Sequence, residues 1–163
     1  MDDAAPSSTR VEDLIQALGP LPTAWNIEEL CLSLSTRRRR PLVLHPMNLP
    51  ALPFGLWYDD GISDHIIYRS TVMGFHRDHV ILHEICHMLA RHTQIPLAAG
   101  PGGAGRASVR GAGEFAARIN PYTARQEETA ESFATLILEK AYRLNPAPVS
   151  AFEHRASAVF GTA

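Results

Sequence analysis

The chain has 163 residues, of which 45% are hydrophobic and 20% charged, and its formal net charge is −2. That length suits one domain with a sizeable core, expected to span residues 1–163, and the balanced charge gives no general pull toward nucleic acid or an acidic membrane. No apolar run approaches the ~20 residues a membrane helix needs, and the polar start MDDAAPSSTR lacks the pattern of a secretory leader.

Residues 1–8 read as a tail. Val11, Leu14, Ile15 and Leu18 then follow the spacing of one helical face. Thr9 and Glu12 match a capping box ahead of it, and Gly19-Pro20 is a stop. A second helix is expected from Asn26, with Glu29 three residues on and an apolar stripe of Ile27, Leu30, Cys31 and Leu34. It runs into Arg37, Arg38, Arg39 and Arg40, and Pro41 ends it. Cations suit a helix C-terminus, so the arginines read as a solvated helix end rather than a nucleic-acid patch. The only cysteines, Cys31 and Cys86, fall among apolar residues and read as buried free thiols, which points to the cytoplasm.

Three short strands are expected next, at PLVLHP (41–46), FGLWYDD (54–60) and DHIIYRS (64–70), with Pro50 and Pro53 in the first connection. Asp60-Gly61 opens a hairpin between the last two. The sheet is expected to be small and antiparallel, packed on helices in an α+β arrangement, with DHIIYRS read equally well as an edge strand or an ordinary core strand. A helix is predicted from about His76 to His92. Residues 98–113 are glycine-rich and read as a flexible loop; they lack the preceding strand that a dinucleotide fingerprint requires. Asn120-Pro121 is expected to start a long helix that runs to about Leu144 and stops at Asn145-Pro146. A last short helix is expected near 149–160. There is no internal repeat.

The chemistry concentrates in His83-Glu84-Ile85-Cys86-His87. On a helix, residues i and i+4 lie on one face, so His83 and His87 can both reach one metal ion. Zinc takes such nitrogen ligands and in catalytic sites keeps a position open for water. Glu84 is angled away from the ligand direction, where it can act as general base on a water at the metal and then pass the proton to the leaving amine. Val80, Ile81, Leu82, Ile85, Met88 and Leu89 surround the three polar residues with apolar bulk, and ionisable groups buried in such a helix need partners.

A third ligand is expected from the long helix. Glu127 and Glu131 are four apart, on a face shared with Ala130, Ala134 and Leu138. Glu127 is the candidate ligand. Glu131, one turn on, is the candidate acceptor for the second ring nitrogen of a ligand histidine. Glu128 points about 100° away and reads as solvated. His76, His79 and Tyr122 could each lend a hydrogen-bond donor, but structural or solvated roles suit them better. Neither cysteine is placed to close a four-ligand structural zinc site.

These residues carry a resemblance. HEICH (83–87), with the downstream E-x-x-A-E-x-F-A at Glu127, Ala130, Glu131, Phe133 and Ala134, resembles the ImmA/IrrE-like family of zinc metallopeptidases. The likeness spans roughly residues 26–140; the family usually carries Asn where this chain has Glu131. It implies a zincin-like fold in which an edge strand beside the metal, DHIIYRS as the candidate here, pairs with extended substrate, together with zinc, a gluzincin-like endopeptidase activity and, often, a helix-turn-helix transcriptional repressor as the protein substrate. A regulatory or sensor module that binds a partner on this scaffold without cutting it is the alternative. No direct nucleic-acid contact and no membrane association are expected.

Overall fold

The computed structural model describes residues 10–48, 55–92 and 122–144. The elements in chain order are α1 (Val11–Leu18), α2 (Ile27–Arg38), β1 (Leu42–Met47), β2 (Gly55–Asp59), β3 (Asp64–Arg69), α3 (Gly74–Leu89) and α4 (Ala124–Leu144). The class is α+β, as expected: four helices among the described residues pack on a three-stranded sheet. The expected tail, the 98–113 loop, Pro50, Pro53, Asn120-Pro121 and the 149–160 helix lie outside the described residues.

The sheet corrects the sequence reading in two ways. Its order is β1-β3-β2, with β2 antiparallel to β3 but β1 parallel to it, so the sheet is mixed rather than antiparallel. β3 is therefore the central strand and not an edge for substrate. The cause is a charge lock at the start of β3. The Asp64 side chain is buried at 1% exposure, and its carboxylate accepts from Arg38 at 2.6 Å, from Nε of Arg40 at 3.0 Å and from Nε1 of Trp57 at 3.0 Å. Arg40 stands two residues before Leu42, the first residue of β1, so the lock pins the start of β1 beside the start of β3, with Leu42 opposite Asp64. Arg38 and Arg40 are thus structural rather than solvated, and Arg37 donates to the Leu18 carbonyl.

The hairpin follows its turn chemistry. Asp60 Oδ1 accepts from the N–H groups of Ile62 and Ser63 at 2.8 and 2.6 Å, and Gly61 takes the positive φ of 88° that favours glycine. Asp60 Oδ2 also meets His65 Nε2 at 3.1 Å, and His65 Nδ1 meets His45 Nε2 at 2.9 Å, tying β1 to β3 through their side chains.

Helix ends show how the chain is steered. Asn26 caps α2 as expected, its Oδ1 accepting from the Glu29 N–H at 2.9 Å. The residue preceding α1 is Arg10, with no side-chain cap; Thr9 lies outside the described residues. α4 starts at Ala124 on a reciprocal box: Thr123 N–H donates to Gln126 Oε1 at 2.9 Å, and Gln126 N–H to Thr123 Oγ1 at 3.3 Å. α3 ends at Leu89, three residues before the expected His92. Behind it, α3 lies between the sheet and α4. Its buried Ile81, Leu82 and Ile85 share one core with Ile66, Phe133 and Ile137.

Candidate metal centre

The α3–α4 contact builds the site. Ala130 and Ala134 are fully buried on α4, and such small side chains let two helices approach closely. Their packing brings Glu127, in the first turn of α4, against the two histidines of α3. His83 Nε2 is 3.1 Å from Glu127 Oε2, and His87 Nε2 is 3.1 Å from His83 Nε2 and 3.8 Å from Glu127 Oε1. Donors around a tetrahedral ion, each about 2.0–2.1 Å from it, are spaced about 3.3–3.4 Å apart. The triangle fits with small adjustments. Two imidazole nitrogens facing each other at 3.1 Å share either a ring proton, one donating to the other, or a metal ion. Among the described residues, His83, His87 and Glu127 form the one group of three or more such donors that could hold a metal.

The electrostatics divide the two histidines. Burial works against charge on His83, but the hydrogen bond to Glu127 and the charges of Glu84, Glu127 and Glu131 outweigh it and hold its pKa above the usual value. His87 is pushed down to about 2 by burial and by its histidine neighbours His83 and His92. Positive charge is thus favoured on His83 and disfavoured on His87.

Glu84 is 4% exposed and does not join the triangle. Its Oε2 accepts from the Trp57 N–H on β2 at 2.9 Å. Burial first, and then the Glu127 charge, raise its carboxyl to about 7 against the opposing pull of His83 and the Trp57 N–H. Gly55 makes this close approach possible: a Cβ there would lie 2.8 Å from Val80 Cγ1 and 2.9 Å from both Cγ and Oε1 of Glu84. The Tyr122 ring lies flat on His87, with centroids 3.5 Å apart and planes 6° apart. Burial drives its phenol pKa well up, while the Trp57 N–H opposes the rise.

Glu131 sits one turn beyond Glu127, bridging His79 Nε2 at 3.3 Å and His83 Nδ1 at 3.7 Å. The first distance is within hydrogen-bond reach and the second is that of a looser ion pair. Glu128 is exposed, as expected. His79 pairs with Glu131 and stacks on Phe75, while His76 is exposed near the helix start. Cys31 and Cys86 are buried free thiols, both pushed up to about 12 chiefly by burial, and are not among the clustered donors.

Sequence reasoning missed three contributors. The Trp57 N–H and Gly55 act through the backbone, which side-chain motifs do not register. His92, whose Nδ1 lies 2.7 Å from His87 Nδ1, was hidden by the expected helix end. On a helix continued to residue 92 it would stand about 140° around from His87. No helix among the described residues is long and apolar enough to cross a membrane. Compared with known proteins, the chain matches no family profile, no curated protein sequence and no solved structure.

Proposed function

We propose that the chain is a zinc-dependent endopeptidase acting on a protein substrate, with His83, His87 and Glu127 as the metal ligands and Glu84 as general base. The observation that carries the reading is the triangle of 3.1, 3.1 and 3.8 Å between two imidazoles and one carboxylate, beside a buried glutamate on the same helix. Two nitrogens and an oxygen are a donor set that zinc takes in hydrolases, and three protein ligands leave a fourth position for solvent. When bound, zinc supplies a Lewis acid and lowers the pKa of water.

The chain's own residues supply the rest. Glu84, held near neutral pKa in the metal-free chain, takes a proton from the attacking water and passes it to the leaving amine. The Trp57 N–H fixes one of its oxygens and leaves the other for that exchange. Glu131 draws the Nδ1 side of His83 away from the metal position. The resemblance to ImmA/IrrE-like peptidases adds the substrate class, a helix-turn-helix repressor. Cytoplasmic placement rests on the two buried free thiols.

A second reading is favoured by two contacts. Glu84 is bound to the sheet, and the Tyr122 ring covers one face of His87, which narrows the room for a peptide. On that reading the chain is a non-cleaving regulatory or sensor module. A cleavage assay separates the two, with zinc-loaded wild type and Glu84→Gln on a repressor-type protein encoded beside the chain. The endopeptidase reading expects cleavage by wild type alone and equal zinc in both; cleavage by Glu84→Gln contradicts it, and an uncut but tightly bound partner supports the sensor.

A further inference from the structure

The His87 imidazole has two nitrogens with separate tasks. Nε2 faces His83 and Glu127. Nδ1 points the other way, to His92 Nδ1 at 2.7 Å. The two rings meet edge to face, at an interplanar angle of 64°.

A specific backbone turn delivers His92. After α3 ends, Arg91 adopts a left-handed φ of 50°. The Arg91 N–H donates to the Met88 carbonyl at 3.3 Å, and the His92 N–H donates to the His87 carbonyl at 3.0 Å. These are the paired bonds of a Schellman turn, with His92 in the position that folds back on the last helical turn. His87 thus holds its partner twice, by carbonyl and by ring. With Tyr122 stacked on its face and no exposed surface, the His87 ring has little freedom left.

We infer that His92 is the positioning residue for the metal ligand His87: its Nδ1 accepts the Nδ1–H of His87, which leaves the lone pair on Nε2 and fixes the ring plane toward the ion. This rests on the reading of His83, His87 and Glu127 as a metal group. An outer hydrogen bond of this kind sets both tautomer and aim in histidine metal sites. The two ligand histidines are held unequally. The Nδ1 of His87 has a 2.7 Å hydrogen bond, whereas the Nδ1 of His83 has, among the described residues, the looser 3.7 Å contact to Glu131. Loss of the His92 acceptor therefore weakens the metal more than loss of the Glu131 charge.

The test is zinc affinity of the full chain, measured by competition with a chromophoric chelator, alongside thermal melting of the metal-free protein. Wild type, His92→Leu, His92→Asn and Glu131→Gln are compared. His92→Leu is expected to bind zinc about 10–100-fold more weakly, as loss of an outer-shell partner usually does. His92→Asn, whose amide oxygen can stand where Nδ1 stands, recovers affinity to within a few-fold of wild type. Glu131→Gln loses less than His92→Leu. Equal affinity in wild type and His92→Leu overturns the inference while leaving the metal group intact. Leu and Asn variants that weaken zinc alike, with a matching fall in metal-free melting, show a merely structural turn and also overturn it. A wild-type chain that takes up no zinc removes the metal reading and this inference together.

Discussion

The main-chain N–H of Trp57 donates to Oε2 of Glu84 at 2.9 Å, so the outer strand of the hairpin holds the glutamate that neighbours the candidate metal ligands on α3. The bond explains how an acidic side chain is tolerated at 4% exposure, because a buried polar group without a partner is costly. It also makes Glu84 a titration probe of the fold. Burial lifts its carboxyl from 4.5 to about 7 in the metal-free chain. The folded state then binds the proton more tightly than the unfolded state. The stability this gives is complete below pH 4.5 and is lost as pH rises through about 7. The loss is roughly 3 kcal/mol. Glu84→Gln keeps an acceptor for the Trp57 N–H and does not titrate. Its stability advantage over wild type, from urea unfolding without metal, should grow between these two pH values and then level off. A difference independent of pH would contradict the burial account.

Gly55 sets how closely β2 can lie to α3. Adding a methyl group there puts it 2.8 Å from Val80 Cγ1 and 2.9 Å from Glu84. Gly55→Ala should cost about 1–3 kcal/mol in denaturant unfolding, the range for overpacked cores. The proposed zinc ligands lie elsewhere on α3 and α4, so zinc stoichiometry should stay at the wild-type value. A neutral effect on stability would mean that the strand shifts freely.

Asp64 is the corresponding anchor for β1. It is 1% exposed and accepts from Arg38, Arg40 and Trp57. Asp64→Asn removes the counter-charge from Arg38 and leaves Arg40 with the more exposed Asp59. The expected cost is about 2–3 kcal/mol, less than for a fully buried pair because the arginines are a quarter exposed. Arg39→Ala, outside the lock, should change stability by less than about 0.5 kcal/mol. Equal effects of the two substitutions in thermal or urea unfolding would discard the lock.

Arginine occupies the left-handed position after two helices: Arg39 at φ 52° after α2, and Arg91 at φ 50° after α3. Both turns make the Schellman bonds, and both deliver the next residue to a partner, Arg40 to Asp64 and His92 to His87. A side chain at such φ costs about 1–2 kcal/mol. Arg91→Gly should therefore raise stability by up to about 1 kcal/mol, after the greater unfolded-state entropy of glycine is subtracted. Zinc affinity should not change. A fall in stability on calorimetric melting would show that the arginine side chain contributes more than its backbone costs.

Local signals in the sequence were legible where one short segment contained the whole cause. The Asn26 cap, the Asp60-Gly61 hairpin and the apolar stripes of α1 and α2 are of this kind. So was the convergence of His83, His87 and Glu127, since helical spacing brings each segment's polar residues to one face. Contacts between distant segments were not legible. Nothing near PLVLHP shows that β1 pairs parallel with β3, because the cause is a salt link from Arg38 and Arg40 to Asp64. The end of α3 and the start of α4 were misjudged for a related reason, while the expected run of α4 to Leu144 matches. A left-handed arginine and a Thr123–Gln126 box are weaker sequence marks than glycine or Asn-Pro, yet they govern where the helices stop and start.

The most direct measurement is zinc binding by competition titration of wild type, Glu127→Ala and Glu128→Ala. The two glutamates are neighbours on one helix, but only Glu127 faces His83 and His87. The account predicts one zinc per wild-type chain, a loss of affinity of at least about tenfold in Glu127→Ala, and wild-type affinity in Glu128→Ala. A wild-type chain that takes up no stoichiometric zinc, or a Glu127→Ala variant that binds as tightly as Glu128→Ala, would contradict it.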